Sequence, residues 1–407
     1  MTTLIAIVLA VLSAVPAMLV RFGPAMLVRF GGLAVPIEVA TLFYGLAIVG
    51  ASFAMAWGAE AAEHDIPRAL ALSVVALLAV FPEYAVDIVL AFKAGQNPEF
   101  APYAAANMTG SNRLLLGLGW PTVSILAWLS RGESCLRLTR DAVLPLFFLS
   151  IATIYSFLLP LKANIGLVDT VILFALFGAY AVMAAREDTE EPDLVGPAAV
   201  IGALGATPRR LSVVALFLFA GGTIGASAEP FADGLVRTGQ KLGIDEFLLV
   251  QWLAPLASEA PEFLVAALLA LRGKAAAAMG LLLSAKLNQW TLLVGSLPLA
   301  FSVGAGAFEA LPLDTRQVAE VLLTAAQGLF GVAVLANLAL ELGEAVLLAG
   351  LFGAQFVAGG LLRMVLHNAA GSEIELIVFS FVYMLLSVVF VLRARGAIGA
   401  MWRTGFR

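Results

Sequence analysis

The sequence is poor in the residues that most often carry soluble chemistry. Its 407 residues include one cysteine, Cys135, and two histidines, His64 and His367. A single cysteine excludes a disulfide framework and a cysteine-rich metal centre. Two histidines so far apart form no histidine metal cluster. Charge is scarce too: Asp, Glu, Lys and Arg make up 13% of the chain and the net charge is −5. No basic stripe appears, which argues against a nucleic-acid partner. The first apolar run, MTTLIAIVLAVLSAVPAMLV, has no basic residues ahead of it, so a cleaved signal peptide is not expected. The excess is apolar, at 61% of residues. A soluble surface needs more charge than this, and apolar runs of roughly 20 residues recur along the chain, so we read an all-α polytopic membrane protein whose first partner is the lipid bilayer.

Apolar runs between charged or Gly/Pro breaks predict about twelve spans. They cover roughly 3–20, 33–57, 68–93, 102–130, 141–160, 165–185, 211–232, 246–271, 275–304, 316–338, 344–365 and 373–393. The octapeptide PAMLVRFG occurs twice in tandem, at Pro16–Gly23 and Pro24–Gly31, and reads as a local duplication without chemistry. The most polar segment, Arg186 to Arg210, reads as a central cytoplasmic loop. It divides an N-terminal membrane half, 1–185, from a C-terminal half, 211–407. Lys and Arg concentrate in loops that fall on one side: Arg131, Arg137 and Arg140; Arg186, Arg209 and Arg210; Arg272 and Lys274; and the tail. That side is expected to be cytoplasmic, with both termini, in a prokaryotic inner membrane. Arg21 and Arg29 run against the rule.

Two stretches resemble each other. LAVFPEYAVDIVLAFKAG (Leu78–Gly95) is followed by AANMTGSNRLLLGLG (Ala105–Gly119), and LASEAPEFLVAALLALRG (Leu256–Gly273) by MGLLLSAKLNQWTLLVG (Met279–Gly295). Pro82-Glu83 matches Pro261-Glu262, and Gly110-Ser111-Asn112 matches Ser284-Ala285-Lys286. The loop charges give the two hairpins, about 68–130 and 246–304, opposite directions across the membrane. Similar segments of opposite orientation mark an inverted repeat, in which broken helices of both repeats bind the substrate near the midplane.

Each ionisable group at the bilayer centre costs ~2.5–3.5 kcal/mol even on lenient scales. Glu83, Asp87, Glu259, Glu262 and Lys286 all fall inside predicted spans. Glu83 and Asp87 are four apart, Glu259 and Glu262 three apart, so each pair shares a helix face. Asn107, Ser111 and Asn112 follow the first pair; Ser284, Lys286, Asn288 and Gln289 follow the second. Pro82 and Pro261 each remove an N–H and are expected to break their helices, freeing carbonyls beside the acids. Carboxylate, carboxamide, hydroxyl and carbonyl oxygens suit Na⁺, Ca²⁺ or a proton. Singly, Ser284, Asn288 and Gln289 are equally suited to interhelical hydrogen bonds. Glu341 and Glu344 lie at a break between late spans, while Glu60, Glu63 and Asp65 read as a solvated span end.

Pro-Glu late in one helix, then Gly-Ser-Asn in the next, repeated inversely, resembles the α-repeats of the calcium/cation antiporter superfamily, which includes sodium/calcium and cation/proton exchangers. The resemblance implies a ten-helix core of two inverted five-helix repeats, here with about two extra helices. It implies Glu83 and Glu262 as central cation-ligating carboxylates and Asn112 as a further ligand, with Lys286 at its counterpart position. The sequence also departs from the pattern. The usual Gly-Thr-Ser ahead of Pro-Glu is Leu78-Ala79-Val80 in the first repeat and Ala257-Ser258-Glu259 in the second. The early Asn of the second helix is kept as Asn107 but replaced by Leu281.

These departures bear on the ion. At 4 Å and an effective dielectric of 20, like charges repel by roughly 4 kcal/mol, and a divalent ion beside Lys286 would meet about twice that. The reading that follows is a secondary-active antiporter, without cofactor, that exchanges a monovalent cation such as sodium for protons by alternating access. Calcium/proton or sodium/calcium exchange is the alternative within transporters. A passive cation channel is the alternative from another class, but no filter repeat or charge ring is evident. No Ser-His or His-metal arrangement in the spans supports an intramembrane enzyme.

Overall fold

In lipid the backbone must satisfy its own hydrogen bonds, so apolar segments of this length fold as helices. The computed structural model describes residues 2–22, 35–62, 65, 81–186, 194 and 196–404. The second octapeptide copy, Glu63, His64, the Leu78–Val80 triplet and the first part of the 68–93 span lie outside them. The chain runs α1 (Thr2–Phe22), α2 (Ile37–Ala62), α3 (Phe81–Gln96) and α4 (Ala101–Leu114), then a π-helical turn, Leu115–Gly119, and α5 (Trp120–Arg131). Strand β1 (Cys135–Arg137), α6 (Val143–Ser156), α7 (Leu158–Lys162), β2 (Asn164–Ile165) and α8 (Leu167–Ala184) complete the first half. The second half holds α9 (Pro197–Gly202), α10 (Ala206–Leu242), α11 (Glu246–Leu271) and α12 (Ala275–Asn288), a second π turn, Gln289–Leu293, and α13 (Val294–Ala305). It closes with β3 (Leu311–Pro312), α14 (Thr315–Val334), β4 (Ala339–Glu341), α15 (Leu342–Gly360) and α16 (Ala369–Thr404).

Among the described residues ten helices are long and apolar enough to cross a membrane. The 246–271 span is α11, and the 275–304 span is the continuous helical run from α12 through the π turn to α13. Two expectations need correction. The segment from Arg186 to Arg210 is not wholly loop: it contains α9 and the first turn of α10. The six-residue α9 is too short to show a period, but it buries Pro197, Ala198, Ile201 and Gly202. The helix also does not break at Pro261. Helix α11 runs unbroken through both Pro255 and Pro261, and what each proline removes is one donor, leaving a carbonyl four residues earlier without its helical partner. The turn ahead of Pro82 lies outside the described residues.

The chain forms two compact units, each drawing on both sequence halves: 1–90 with 181–261, and 91–180 with 262–407. The chain passes from the first to the second twice, between Leu90 and Ala91 inside α3 and between Pro261 and Glu262 inside α11.

In the first unit α2 packs along α10. Small residues set the closeness: a Cβ on Gly234 would lie 2.2 Å from Thr41 Oγ1, and one on Gly45 2.9 Å from the Phe231 ring. Ion pairs close the ends. Lys241 Nζ donates to both Glu38 oxygens at 2.8 and 2.9 Å. Arg209 forks onto Asp65 at 2.7 and 2.9 Å, and Arg210 adds a third bond at 2.9 Å. Asp65 is thus a clamp between the end of α2 and the start of α10, not a solvated residue.

The second unit displays the inverted repeat directly. Its two π turns are separated by the same 174 residues that separate Asn112 from Lys286. So are the left-handed glycines Gly132 and Gly306, φ +71° and +69°, which end α5 and α13. The short strands pair across the repeats, β1 with β4 and β2 with β3, both antiparallel. Late helix starts are capped from within: Asp314 and Gln317 form a reciprocal capping box on α14, and Glu341 with Glu344 does the same on α15. Helices α3 and α13 touch backbone to backbone, since a Cβ on Gly304 would fall 2.0 Å from Phe92 O and one on Gly95 2.2 Å from Phe301 O.

Two outcomes follow. Gly304→Ala must force α13 off α3, so we expect a loss of ~1–3 kcal/mol, read as lowered thermal stability in detergent. Hydrogen bonds from Arg209, then Arg210, hold the Asp65 carboxyl well below the usual carboxylate range. A lowered folded-state pKa adds stability above the ordinary value of ~3.9 that is lost as pH falls below it. Asp65→Asn should therefore lower the melting temperature at neutral pH and flatten its fall on acidification.

Candidate functional site

The candidate residues are taken unit by unit. In the first unit, α3 presents Glu83 and Asp87 one turn apart, both buried, at 3% and 0% exposure. Helix α11 contributes Ser258 and Glu259, also buried. The Ser258 hydroxyl lies 3.2 Å from Ala254 O and 3.3 Å from Pro255 O, so it donates back to its own helix. Its lone pairs remain for another donor or a cation.

In the second unit Glu262 is half-buried and begins the part of α11 that belongs there. Helix α4 buries Asn107, Ser111 and Asn112 completely. The Ser111 hydroxyl donates to Met108 O at 3.1 Å. The Asn112 amide nitrogen donates to the same carbonyl at 2.9 Å, which turns its Oδ1 away from the helix. Lys286, on α12, meets it there. Its Nζ donates to Asn112 Oδ1 at 2.8 Å and to Asn112 main-chain O at 2.7 Å, and lies 5.3 Å from the centre of the Trp290 ring. A π turn, Leu115–Gly119, follows α4 directly. Asn107 is different: among the described residues no hydrogen-bond partner reaches either atom of its carboxamide, although it is fully buried. A buried amide left this way costs ~1–3 kcal/mol, which a ligand would relieve. Ser284 is half-buried and Asn288 is buried on the same helix as Lys286.

The structure therefore joins two candidates that sequence placed at matching positions of the two repeats, Asn112 and Lys286. Among the described residues no three of His, Cys, Asp and Glu converge as a metal cage. A cation held here needs carboxamide or main-chain oxygens beside carboxylates.

Sequence reading missed a second buried polar group. Arg113, next to Asn112, sends its Nη2 to within 2.7 Å of Glu320 Oε2 on α14, with both side chains at most 3% exposed. Arg316 lies 3.9 Å from the other Glu320 oxygen. Glu375 and Tyr383 of α16 are buried within electrostatic reach of Arg113. The signal was present: Arg113, Glu320 and Glu375 each stand inside a predicted span, where a lone charge asks for a partner. Removing one member strands the other charge. Glu320→Ala should cost ~3–5 kcal/mol, read by thermal unfolding, and Arg113→Met added to it should recover a large part. Simple addition of the two losses would show that the ions are not coupled.

The profile of the sodium/calcium exchanger protein family matches residues 38–186 and 212–361. The structure resembles the crystal structure of an H⁺/Ca²⁺ exchanger, CAX, at 42% sequence identity, TM-score 0.87, and 97% of both chains. It also resembles the sodium-calcium exchanger NCX_Mj soaked with Na⁺ and Sr²⁺, at 16% identity and TM-score 0.54, over 79% of this chain and 98% of the other. With Na⁺ and Ca²⁺ in the soak the values are 17%, 0.53, 80% and 99%. These last two show the fold alone. No curated protein sequence matches significantly.

Proposed function

The chain belongs to the sodium/calcium exchanger protein family, and from that premise we propose that it exchanges a cation for protons across the membrane by alternating access. The observation that carries this reading is the set of acids at the two Pro-Glu motifs: Glu83, Asp87 and Glu259, buried, and Glu262, half-buried. A carboxylate inside a span must be neutralised. Either a cation or a proton does so, which makes the two alternatives for the same group. Asn107, whose buried carboxamide has no partner among the described residues, offers a neutral oxygen to a cation.

Ca²⁺ is the cation we put first, because the similar structure at 42% identity is an H⁺/Ca²⁺ exchanger. This changes the order reached from sequence, where a monovalent cation stood ahead. A specific observation keeps sodium/proton exchange as the second reading: Lys286 holds the oxygen of Asn112 that a divalent ion would otherwise use. In the proposed orientation both termini are cytoplasmic, as the Lys/Arg-bearing loops require.

Reconstitution in vesicles with a trapped pH dye tests the reading. A Ca²⁺ gradient should drive proton flux, and Glu83→Gln and Glu262→Gln should each bring it to background while leaving a folded protein. Flux with Na⁺ but not Ca²⁺ would select the second reading. No proton flux under Ca²⁺, Na⁺, K⁺ or Li⁺ gradients would overturn proton coupling.

A further inference from the structure

Lys286 is buried to 1% exposure in a membrane span, and the groups around its ammonium are those a bound cation would choose: one carboxamide oxygen, one main-chain carbonyl and an aromatic face. We propose that Lys286 is a built-in cation that occupies the Asn112 oxygens, so that a mobile cation is excluded from them. Lys286 is then a specificity-determining residue, one that limits how many cations the protein takes up.

Three features support this beyond proximity. Asn112 is oriented for the task, since its nitrogen is fixed on Met108 O and only its oxygen faces Lys286. A π turn follows Asn112 and recurs in the other repeat just after Lys286, so the two positions share one local backbone frame. Finally, the tether is short: Lys286 and Trp290 are four residues apart on one helical run, so ammonium and indole are set together by helix geometry. A free cation would have to displace a group held by its own backbone at a very high local concentration.

The inference rests on the cation-exchanger reading but is tested separately from it. Trp290 is a native reporter of the position. The purified full-length protein is titrated with Na⁺ against choline while tryptophan emission is followed, with Trp290→Phe as the background. Lys286→Met removes the charge and the donors with little change in bulk. It should create a saturable Na⁺-dependent change in Trp290 emission, with half-saturation at least about tenfold below any seen in the wild type. Asn112→Ala added to Lys286→Met should abolish that change. If Lys286→Met does not fold, Lys286→Gln, which keeps a donor for Asn112, takes its place. An identical Na⁺ response in the wild type and the neutral variant overturns the proposal. Proton flux in wild-type vesicles together with that result would retire the Lys286 assignment alone. A Na⁺ response gained by the variant, with no proton flux in the wild type, would retire proton coupling and keep Lys286 as the built-in cation.

Discussion

A charge inside a bilayer has to be answered by another group, and the polar architecture of this chain follows from that demand. Arg113 is answered by Glu320, buried with it at 2.7 Å. Lys286 meets two oxygens of Asn112 and the face of Trp290. The two solutions serve different ends. An ion pair between fixed residues neutralises its charges permanently and ties α4 to α14. An ammonium on the Asn112 oxygens occupies a ligand position. For the acids Glu83, Asp87, Glu259 and Glu262 we propose cations and protons in turn.

The inverted repeat makes this arrangement possible. It places a residue of one hairpin against its own counterpart in the other, so one position contributes a ligand and its equivalent contributes the charge that fills it. The matched π turns, matched left-handed glycines and reciprocal strand pairs show that the two copies retain the same local geometry. The divergence between Asn112 and Lys286 is a chemical change on a conserved frame. Family members with similar folds can differ in the ions they carry through changes of this kind, since fold sets position and side chains set chemistry.

Much of the fold was legible in the sequence because lipid imposes a strong rule. Apolar length alone gave the α11 span to the residue, and the Pro-Glu and Gly-Ser-Asn matches gave the repeat. Less was legible where a rule depends on context. Pro261 was expected to break its helix, yet α11 continues, since the turns on either side keep their hydrogen bonds and one missing donor is a local loss. The short α9 was hidden in a stretch that looked like loop. Of the site, the identities of Glu83, Asp87, Glu259, Asn112 and Lys286 could be picked out as costly residues in spans. That Lys286 would rest on Asn112 could not, because sequence gives spacing within a helix but not which residues face each other between helices. Arg113 and Glu320 escaped for the same reason, each reading as a single charge until its partner across the packing was seen.

The central claim is that a cation and protons are alternatives for the same buried carboxyl groups. Counting protons released as cation binds to the purified protein in weakly buffered detergent solution tests it most directly, since it needs neither a gradient nor turnover. The account predicts that added Ca²⁺ or Na⁺ releases protons, that the release saturates with binding, and that it disappears in a Glu83→Gln, Glu262→Gln double variant. Saturable cation binding with no proton released at any pH across the neutral range would contradict it.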